Sequence, residues 1–132
     1  MDRFLLDTNI VSDLIRNPAG RIFERLSVLP AEAPCTSIVV AAELRYGAAR
    51  KGSRRLAERV EGSLLRIEVL PFDAPADRTY ADLRTVLEEA GSTLAANDLL
   101  IAAHALTLGC ILVTDDGGFE RVPGLAVENW LR

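Results

Sequence analysis

Two patterns of apolar and polar positions alternate along the chain. Short apolar runs, such as the one at 4–6, are typical of buried strands, and apolar residues three and four positions apart, as in 19–29, are typical of helices. The predicted strands are residues 4–6, 35–37, 67–70, 110–114 and 125–128. The predicted helices run from residue 8 to about 16, over 19–29, from 37 or 38 to near 52, from 53 to about 65, over 73–90, and from 97 or 98 to 109. Strands that alternate with helices in this way predict a parallel sheet covered by helices, which is an α/β fold.

Polar side chains and glycines mark where the predicted helices begin and end. Residues with short polar side chains favour the N-terminal cap, and glycine favours the position just beyond the last turn. The predicted caps are Thr36 or Ser37 for the third helix, Ser53 for the fourth, Asp73 for the fifth and Asn97 or Asp98 for the last.

The composition fits an ordinary globular domain. At 132 residues we expect a single domain over 1–132, and 49% hydrophobic with 26% charged residues excludes an intrinsically disordered chain. Cys35 and Cys110 lie in apolar runs and are expected to be buried free thiols, which fits a reducing compartment. No targeting segment is visible, and the longest apolar stretch, 99–113, is too short and too interrupted to span a bilayer. We therefore expect a cytoplasmic protein with no membrane partner.

Charge is distributed unevenly along the chain. The net charge is −4, but residues 45–59 carry six basic side chains against the single acid Glu58, so this segment is +5 and the remainder is −9. A local basic segment on an acidic protein can meet a polyanion, although a solvated helix face is the simpler interpretation. The candidate residues for such a polyanion contact are Arg50, Lys51, Arg54 and Arg55.

Acidic residues stand where the predicted strands end. Asp7 follows the first strand, Asp115 and Asp116 follow the fourth, and Asp98 opens the last helix. Groups just beyond the carboxyl ends of parallel strands converge on one crevice. Each acid also has a structural interpretation, since Asp7 and Asp98 suit helix caps and the Asp115–Asp116 pair suits a turn before two glycines. Their joint placement is what favours a site.

Glu43 lies inside an apolar helical stretch, VVAAEL. Burying a carboxylate is costly unless something pairs with it, and a divalent metal would supply that partner. Several oxygen ligands without any Cys/His metal spacing suit magnesium or manganese rather than zinc. His104 has no second histidine to form a relay or a zinc site, so we expect a packed structural side chain. Tyr46 and Trp130 are likewise expected to be packing residues.

These acids stand in motifs that resemble those of PIN-domain nucleases, and most closely the VapC-type toxins of bacterial toxin–antitoxin pairs. LLDTNIVSDL resembles the family's first motif, with Asp7 as the first metal ligand and Asn9 as its helper. AAELRYGA resembles the second motif and places Glu43, and ANDLLIAAHAL resembles the third and places Asp98. The resemblance covers essentially the whole chain.

LVTDDGGFERVPGLAVENWL resembles the fourth motif. Family members carry an acid there either two residues after the threonine or just before the phenylalanine. Because Gly118 occupies the second of these places, the resemblance favours Asp116 as the fourth acid, with Asp115 as a second candidate. Thr114 would orient a metal-bound water or a ligand.

The resemblance implies a three-layer α/β/α fold with a central, mostly parallel sheet of four to five strands. It also implies a metal-dependent endoribonuclease that uses Mg²⁺, with Mn²⁺ as an alternative. Two ions about 4 Å apart would clamp an RNA phosphodiester and leave a 5′ phosphate and a 3′ hydroxyl. The implied partners are an RNA substrate, a small antitoxin protein and a second copy of the chain. The open alternative is a PIN endonuclease of RNA maturation that acts without an antitoxin.

Overall fold

The computed structural model describes all 132 residues as a five-stranded sheet with six helices. The strands are β1 (Phe4–Leu6), β2 (Pro34–Ser37), β3 (Glu68–Leu70), β4 (Ile111–Val113) and β5 (Val127–Glu128). The helices are α1 (Thr8–Arg16), α2 (Arg21–Ser27), α3 (Ile38–Lys51), α4 (Arg54–Leu64), α5 (Ala76–Glu89) and α6 (Ala96–Leu108). A 3₁₀ helix over Gly117–Arg121, which the sequence did not predict, links β4 to β5.

All strands run parallel in the order β3-β2-β1-β4-β5. Right-handed crossovers place α1 to α4 on one face of this sheet and α5 with α6 on the other, because the chain moves in one direction from β1 to β3 and then returns to β4. The result is the predicted three-layer α/β/α fold. None of the helices combines the length and hydrophobicity that crossing a bilayer requires.

The central strands supply the middle of the hydrophobic core. Leu5, Leu6, Leu112 and Val113 are fully buried, as expected for parallel strands covered on both faces. Both cysteines are buried free thiols, which confirms the prediction for their burial. Trp130 is 3% exposed and packs on Phe4, whereas Tyr46 is 66% exposed on the outer side of α3, so the packing role predicted for Tyr46 is wrong.

Side-chain hydrogen bonds fix the starts of α3 and α4. Of the two candidate caps for α3, Ser37 is the one used, because its Oγ accepts the Val39 N–H at 3.0 Å while the Thr36 hydroxyl donates to the Leu6 carbonyl. Ser53 caps α4 by accepting the Leu56 N–H at 3.1 Å.

Two predicted caps are wrong. Helix α5 begins at Ala76 rather than at Asp73, because the Ala76 N–H donates to the Asp73 carbonyl in a turn that precedes the helix. Helix α6 begins at Ala96 with no side-chain cap. Asp98 therefore lies within the first turn of α6, and its carboxylate is not used in capping.

His104 is a packed residue in the middle of α6, as predicted. It is 1% exposed, its Nδ1 lies 2.8 Å from the Ser37 Oγ, and the edge of Phe72 packs against its ring. Burial lowers the pKa of the imidazole. The histidine thus connects α6 to the residue that begins α3.

Candidate active site

Asp7 lies at the carboxyl end of β1, where it is 3% exposed. Its Oδ1 accepts the Thr8 N–H at 2.8 Å, and its Oδ2 accepts the Thr114 hydroxyl at 2.7 Å. The second bond follows from the sheet register, since Leu6 lies beside Val113 and the next residues of β1 and β4 are therefore neighbours. Asp7 is both the cap of α1 and a fixed carboxylate at the edge of the sheet.

Glu43 reaches the same edge from α3. The helix starts at the carboxyl end of β2, and Glu43 lies in its second turn, where it is half-buried. The Thr8 hydroxyl donates to the Glu43 Oε1 at 2.7 Å. Sequence reasoning missed Thr8, although its place directly after Asp7 in the first motif was the available signal.

Thr114 and Asn9 hold the loop after β4 against the start of α1. The Thr114 Oγ1 accepts the Asp116 N–H at 3.0 Å and lies 3.4 Å from the Asn9 Nδ2, which donates to it. The Asn9 Oδ1 in turn accepts the Asp115 N–H at 3.2 Å. Two of the three residues predicted as supporting groups, Asn9 and Thr114, are therefore placed to position the loop that carries the fourth acid, and the third, Asp115, lies in that loop.

The two neighbouring aspartates after β4 point in different directions. The Asp116 Oδ1 accepts the Gly118 N–H at 2.8 Å and caps the 3₁₀ helix beside the other acids. The Asp115 Oδ1 instead accepts the Asn129 Nδ2 at 2.8 Å and lies 3.5 Å from the Arg132 guanidinium. The structure thus brings Asp116, and not the Asp115 carboxylate, towards the edge of the sheet where Asp7, Glu43 and Asp98 lie, here called the acidic edge.

The four acids influence one another electrostatically. Burial, followed by the charges of Asp7, Asp116 and Glu43, raises the pKa of Asp98 to about 6. Burial also raises the pKa of Asp7, and Glu43 and Asp116 add to the rise against the bonds from Thr114 and Thr8. None of the four forms an ion pair with a lysine or an arginine. The sheet edge therefore concentrates negative charge that no lysine or arginine neutralises in a direct ion pair.

The chemistry of this donor set fits Mg²⁺ or Mn²⁺. All the groups are hard oxygen donors, and no cysteine or histidine stands among them. No three side chains form a ready-made ligand shell around one point. Magnesium ordinarily keeps several waters and takes only one or two protein carboxylates together with substrate phosphates, so a partly open set of this kind is compatible with it.

The predicted RNA-binding residues lie apart from the acids, at the tip of the α3–α4 hairpin. These four side chains, here called the basic tip, are exposed and make no ion pair: Arg50, Lys51, Arg54 and Arg55. Arg50 is seven residues beyond Glu43, or about 10 Å along the helix axis. The other arginines of the basic segment are engaged, since Arg45 pairs with Glu61 at 2.9 Å and Arg59 donates to the Ile15 carbonyl.

Comparison with known proteins places this geometry in a family. The family model of the PIN domain matches residues 4–125. Ribonuclease VapC2 of Rickettsia felis is 35% identical over 130 residues, with 96% of this chain and 97% of that protein covered. The chain belongs to the VapC group of PIN-domain proteins. Another member, the tRNA(fMet)-specific endonuclease VapC of Salmonella typhimurium, is 37% identical over 133 residues, with 98% and 99% covered.

Solved structures agree with this assignment. The VapC fold of this chain is similar to a chain of the R. felis VapBC2 complex bound to a promoter DNA fragment, with a TM-score of 0.89 at 35% identity, covering 96% of this chain and 98% of that one. It is also similar to a chain of the DNA-bound VapBC complex of S. typhimurium, with a TM-score of 0.90 at 35% identity, covering 98% and 99%. The match to the PIN domain includes all four acids at the sheet edge.

Proposed function

We propose that this VapC protein is a metal-dependent endoribonuclease and the toxin of a VapBC-type toxin–antitoxin pair. The observation that carries the proposal is the convergence of Asp7, Glu43, Asp98 and Asp116 on one sheet edge. Their mutual repulsion adds to burial in raising the pKa of Asp98 to about 6, and none of the four is ion-paired with a lysine or an arginine. The names of the R. felis ribonuclease and the S. typhimurium endonuclease support RNA as the substrate, and transfer RNA is the first class to test.

The four acids would hold Mg²⁺ or Mn²⁺, and the bound ions would activate water for attack at phosphorus and stabilise the departing 3′ oxygen. Asp7 is the most rigid of these groups, because two hydrogen bonds fix its carboxylate between β1 and β4. Thr8 orients Glu43 in the same way through its hydroxyl. No side-chain nucleophile is required, and the products carry a 5′ phosphate and a 3′ hydroxyl.

The activity is tested with the purified protein and pooled cellular RNA, with EDTA, Mg²⁺ or Mn²⁺ in parallel. We expect cleavage only with metal, and its loss in Asp7→Asn and Asp98→Asn, since each variant removes a charged ligand but keeps the shape of the side chain. Asp82→Asn is the matched control, because Asp82 is exposed on α5 and has no partner. Cleavage in EDTA, or full activity in either site variant, would overturn the assignment.

An apolar groove supports an antitoxin as partner. A cavity of about 470 Å³ lies between α1, α2 and α4, lined among others by Leu14, Phe23, Leu26, Arg66 and Ile67. Phe23 is 46% exposed, and together with Leu14, Leu26 and Ile67 it forms a contiguous apolar surface along this groove. We infer that an apolar segment of the antitoxin fills this groove, and the VapBC complexes solved for relatives support such a partner.

The groove assignment is tested with Phe23→Asp in the complex with the cognate antitoxin, which is sought as a small protein encoded by a neighbouring gene. We expect the variant to lose the complex and to retain cleavage, because Phe23 is remote from the acids. If the antitoxin also places an arginine or lysine among the carboxylates, its inhibition weakens as Mg²⁺ rises, since both cations satisfy the same oxygens. An intact complex with Phe23→Asp would place the antitoxin elsewhere.

We further propose that the protein acts in the cytoplasm and that it forms a homodimer. Light scattering of the isolated protein tests the dimer directly. An RNA-maturation enzyme without an antitoxin is the alternative function. It predicts that no neighbouring gene encodes a small DNA-binding protein that binds this chain and inhibits it.

A further inference from the structure

Arg121 lies at the end of the 3₁₀ helix, next to the fourth acid. Its Nε donates to the Gly118 carbonyl at 3.3 Å, and the rest of its guanidinium makes no hydrogen bond or ion pair. The segment that carries it is anchored, because Phe119 is fully buried and Val122 is 4% exposed. The exposed cation therefore projects from a fixed support.

The absence of a side chain at Gly118 lets the Arg121 guanidinium lie close to Asp116. A Cβ built on Gly118 would lie 3.2 Å from the Asp116 Oδ1 and 3.3 Å from the Arg121 Nη2. Because both atoms lie so close to one point, they are less than about 7 Å apart, yet they do not form an ion pair. A guanidinium with free donors thus lies beside the fourth acid, where a phosphate bound near Asp116 would be within its reach.

We propose that Arg121 binds the scissile phosphodiester of the RNA and stabilises the negative charge that develops on its non-bridging oxygens. The inference rests on the proposed nuclease function and adds a substrate-binding residue to it. A guanidinium fork matches two phosphate oxygens, and donors aimed at developing charge contribute more in the transition state than in the ground state. The basic tip does not replace it, because that cluster begins nearly two helical turns beyond Glu43.

The chain offers a matched control in Arg78. This arginine is exposed on α5 and makes no ion pair. It lies at the opposite end of α6 from Asp98, since the neighbouring Thr79 hydroxyl accepts the Thr107 hydroxyl in the last turns of that helix. Arg78→Ala removes the same charge from the protein without touching the acidic edge.

Cleavage of a fluorescent RNA in Mg²⁺ is compared for Arg121→Ala, Arg121→Lys and Arg78→Ala. We expect Arg121→Ala to lower kcat/KM by roughly 10- to 100-fold, with most of the loss in kcat, because a charge-assisted bond made in the transition state is removed. Arg121→Lys restores part of the loss and Arg78→Ala stays within about twofold of the wild type.

A second measurement follows binding of the same RNA in EDTA, by fluorescence anisotropy at several salt concentrations. Removing one bond to a phosphate lowers the slope of log affinity against log salt by about 0.7 for a single strand. If the wild type binds RNA but neither Mg²⁺ nor Mn²⁺ supports cleavage, the proposed function fails. The salt slope of RNA binding alone then decides the role of Arg121. Equal behaviour of Arg121→Ala and Arg78→Ala in both assays, or a wild type that does not bind RNA, overturns the proposal.

Discussion

Replacing Asp98 with asparagine is expected to stabilise the metal-free protein while it abolishes cleavage. The carboxylate is partly buried among three other acids, and burial together with their charges raises its pKa to about 6 from the usual 3.8. A carboxylate with a raised pKa in the folded state favours folding only when it is protonated. Its contribution is fully present below pH 3.8 and is lost as the pH rises through 6, so at neutral pH the ionised group opposes folding.

The magnitude follows from the size of the pKa shift. Raising the pKa of Asp98 from 3.8 to about 6 corresponds to at most about 3 kcal/mol in the free energy of unfolding. Because the side chain is partly exposed, solvent screening reduces this to about 1–2 kcal/mol. The asparagine variant also loses the favourable interaction of an acid with the first turn of α6, which is about 0.3–1 kcal/mol. The net gain is therefore about 1 kcal/mol, or roughly 3–5 °C in Tm.

The assay is urea unfolding in EDTA at about pH 7.5 and about pH 4, followed by the same measurement with Mg²⁺ at the higher pH. We expect the variant to be more stable at the higher pH, the difference to be largely absent at the lower pH, and Mg²⁺ to stabilise the wild type more than the variant. Asp77→Asn is the control, because Asp77 lies in the first turn of α5 and is exposed. It should cost a few tenths of a kcal/mol. A less stable Asp98→Asn in EDTA at the higher pH would refute the charge-repulsion argument.

Three further predictions concern other parts of the molecule. Asp116→Asn should reduce cleavage far more than Asp115→Asn, because only Asp116 faces the other acids; the reverse ranking in a cleavage assay would contradict this geometry. His104 is buried with a lowered pKa, so the free energy of unfolding should fall as the pH decreases below about 6.5. Urea unfolding of His104→Gln at several pH values should show a weaker dependence of this free energy on pH. An equal dependence in the variant and the wild type would exclude His104 as the cause. Changing two residues of the basic tip to glutamine should lower the salt slope of RNA binding by about 0.7 for each phosphate that is no longer bound, with kcat preserved. An unchanged slope together with weakened dimer or antitoxin binding would identify the tip as a protein interface.

The sheet and the order of its elements were predictable because their signals are local. Apolar runs bounded by polar residues located every strand to within a few residues. Ser53 marked the start of α4, because its hydroxyl accepts the N–H of Leu56 only three residues further along the chain. The 3₁₀ helix escaped prediction because Gly117 and Gly118 are typical of a turn, while the segment is held by burial of Phe119 in the core.

The site was only partly predictable, because its detailed contacts join distant parts of the chain. The bond from Thr8 to Glu43 connects residues 35 positions apart, and the sequence around Thr8 does not show which side chain its hydroxyl meets. In the same way, 16 positions separate Arg45 from Glu61, so the basic segment alone did not show that this arginine is already paired. A charge count along the sequence cannot distinguish a free cation from an engaged one.

Capping a helix and holding a metal are compatible uses of one carboxylate, although the sequence presents them as alternatives. Asp7 caps α1, Asp116 caps the 3₁₀ helix, and Asp98 lies in the first turn of α6. At each place the backbone N–H groups and the helix dipole favour negative charge, which lowers the energy of holding like charges together when no metal is bound. Glu43 lies beyond the first turn of its helix and is stabilised by the Thr8 hydroxyl instead. Three helix starts at the carboxyl edge of the sheet thus allow the protein to fold with an acidic centre that is still free to bind a cation.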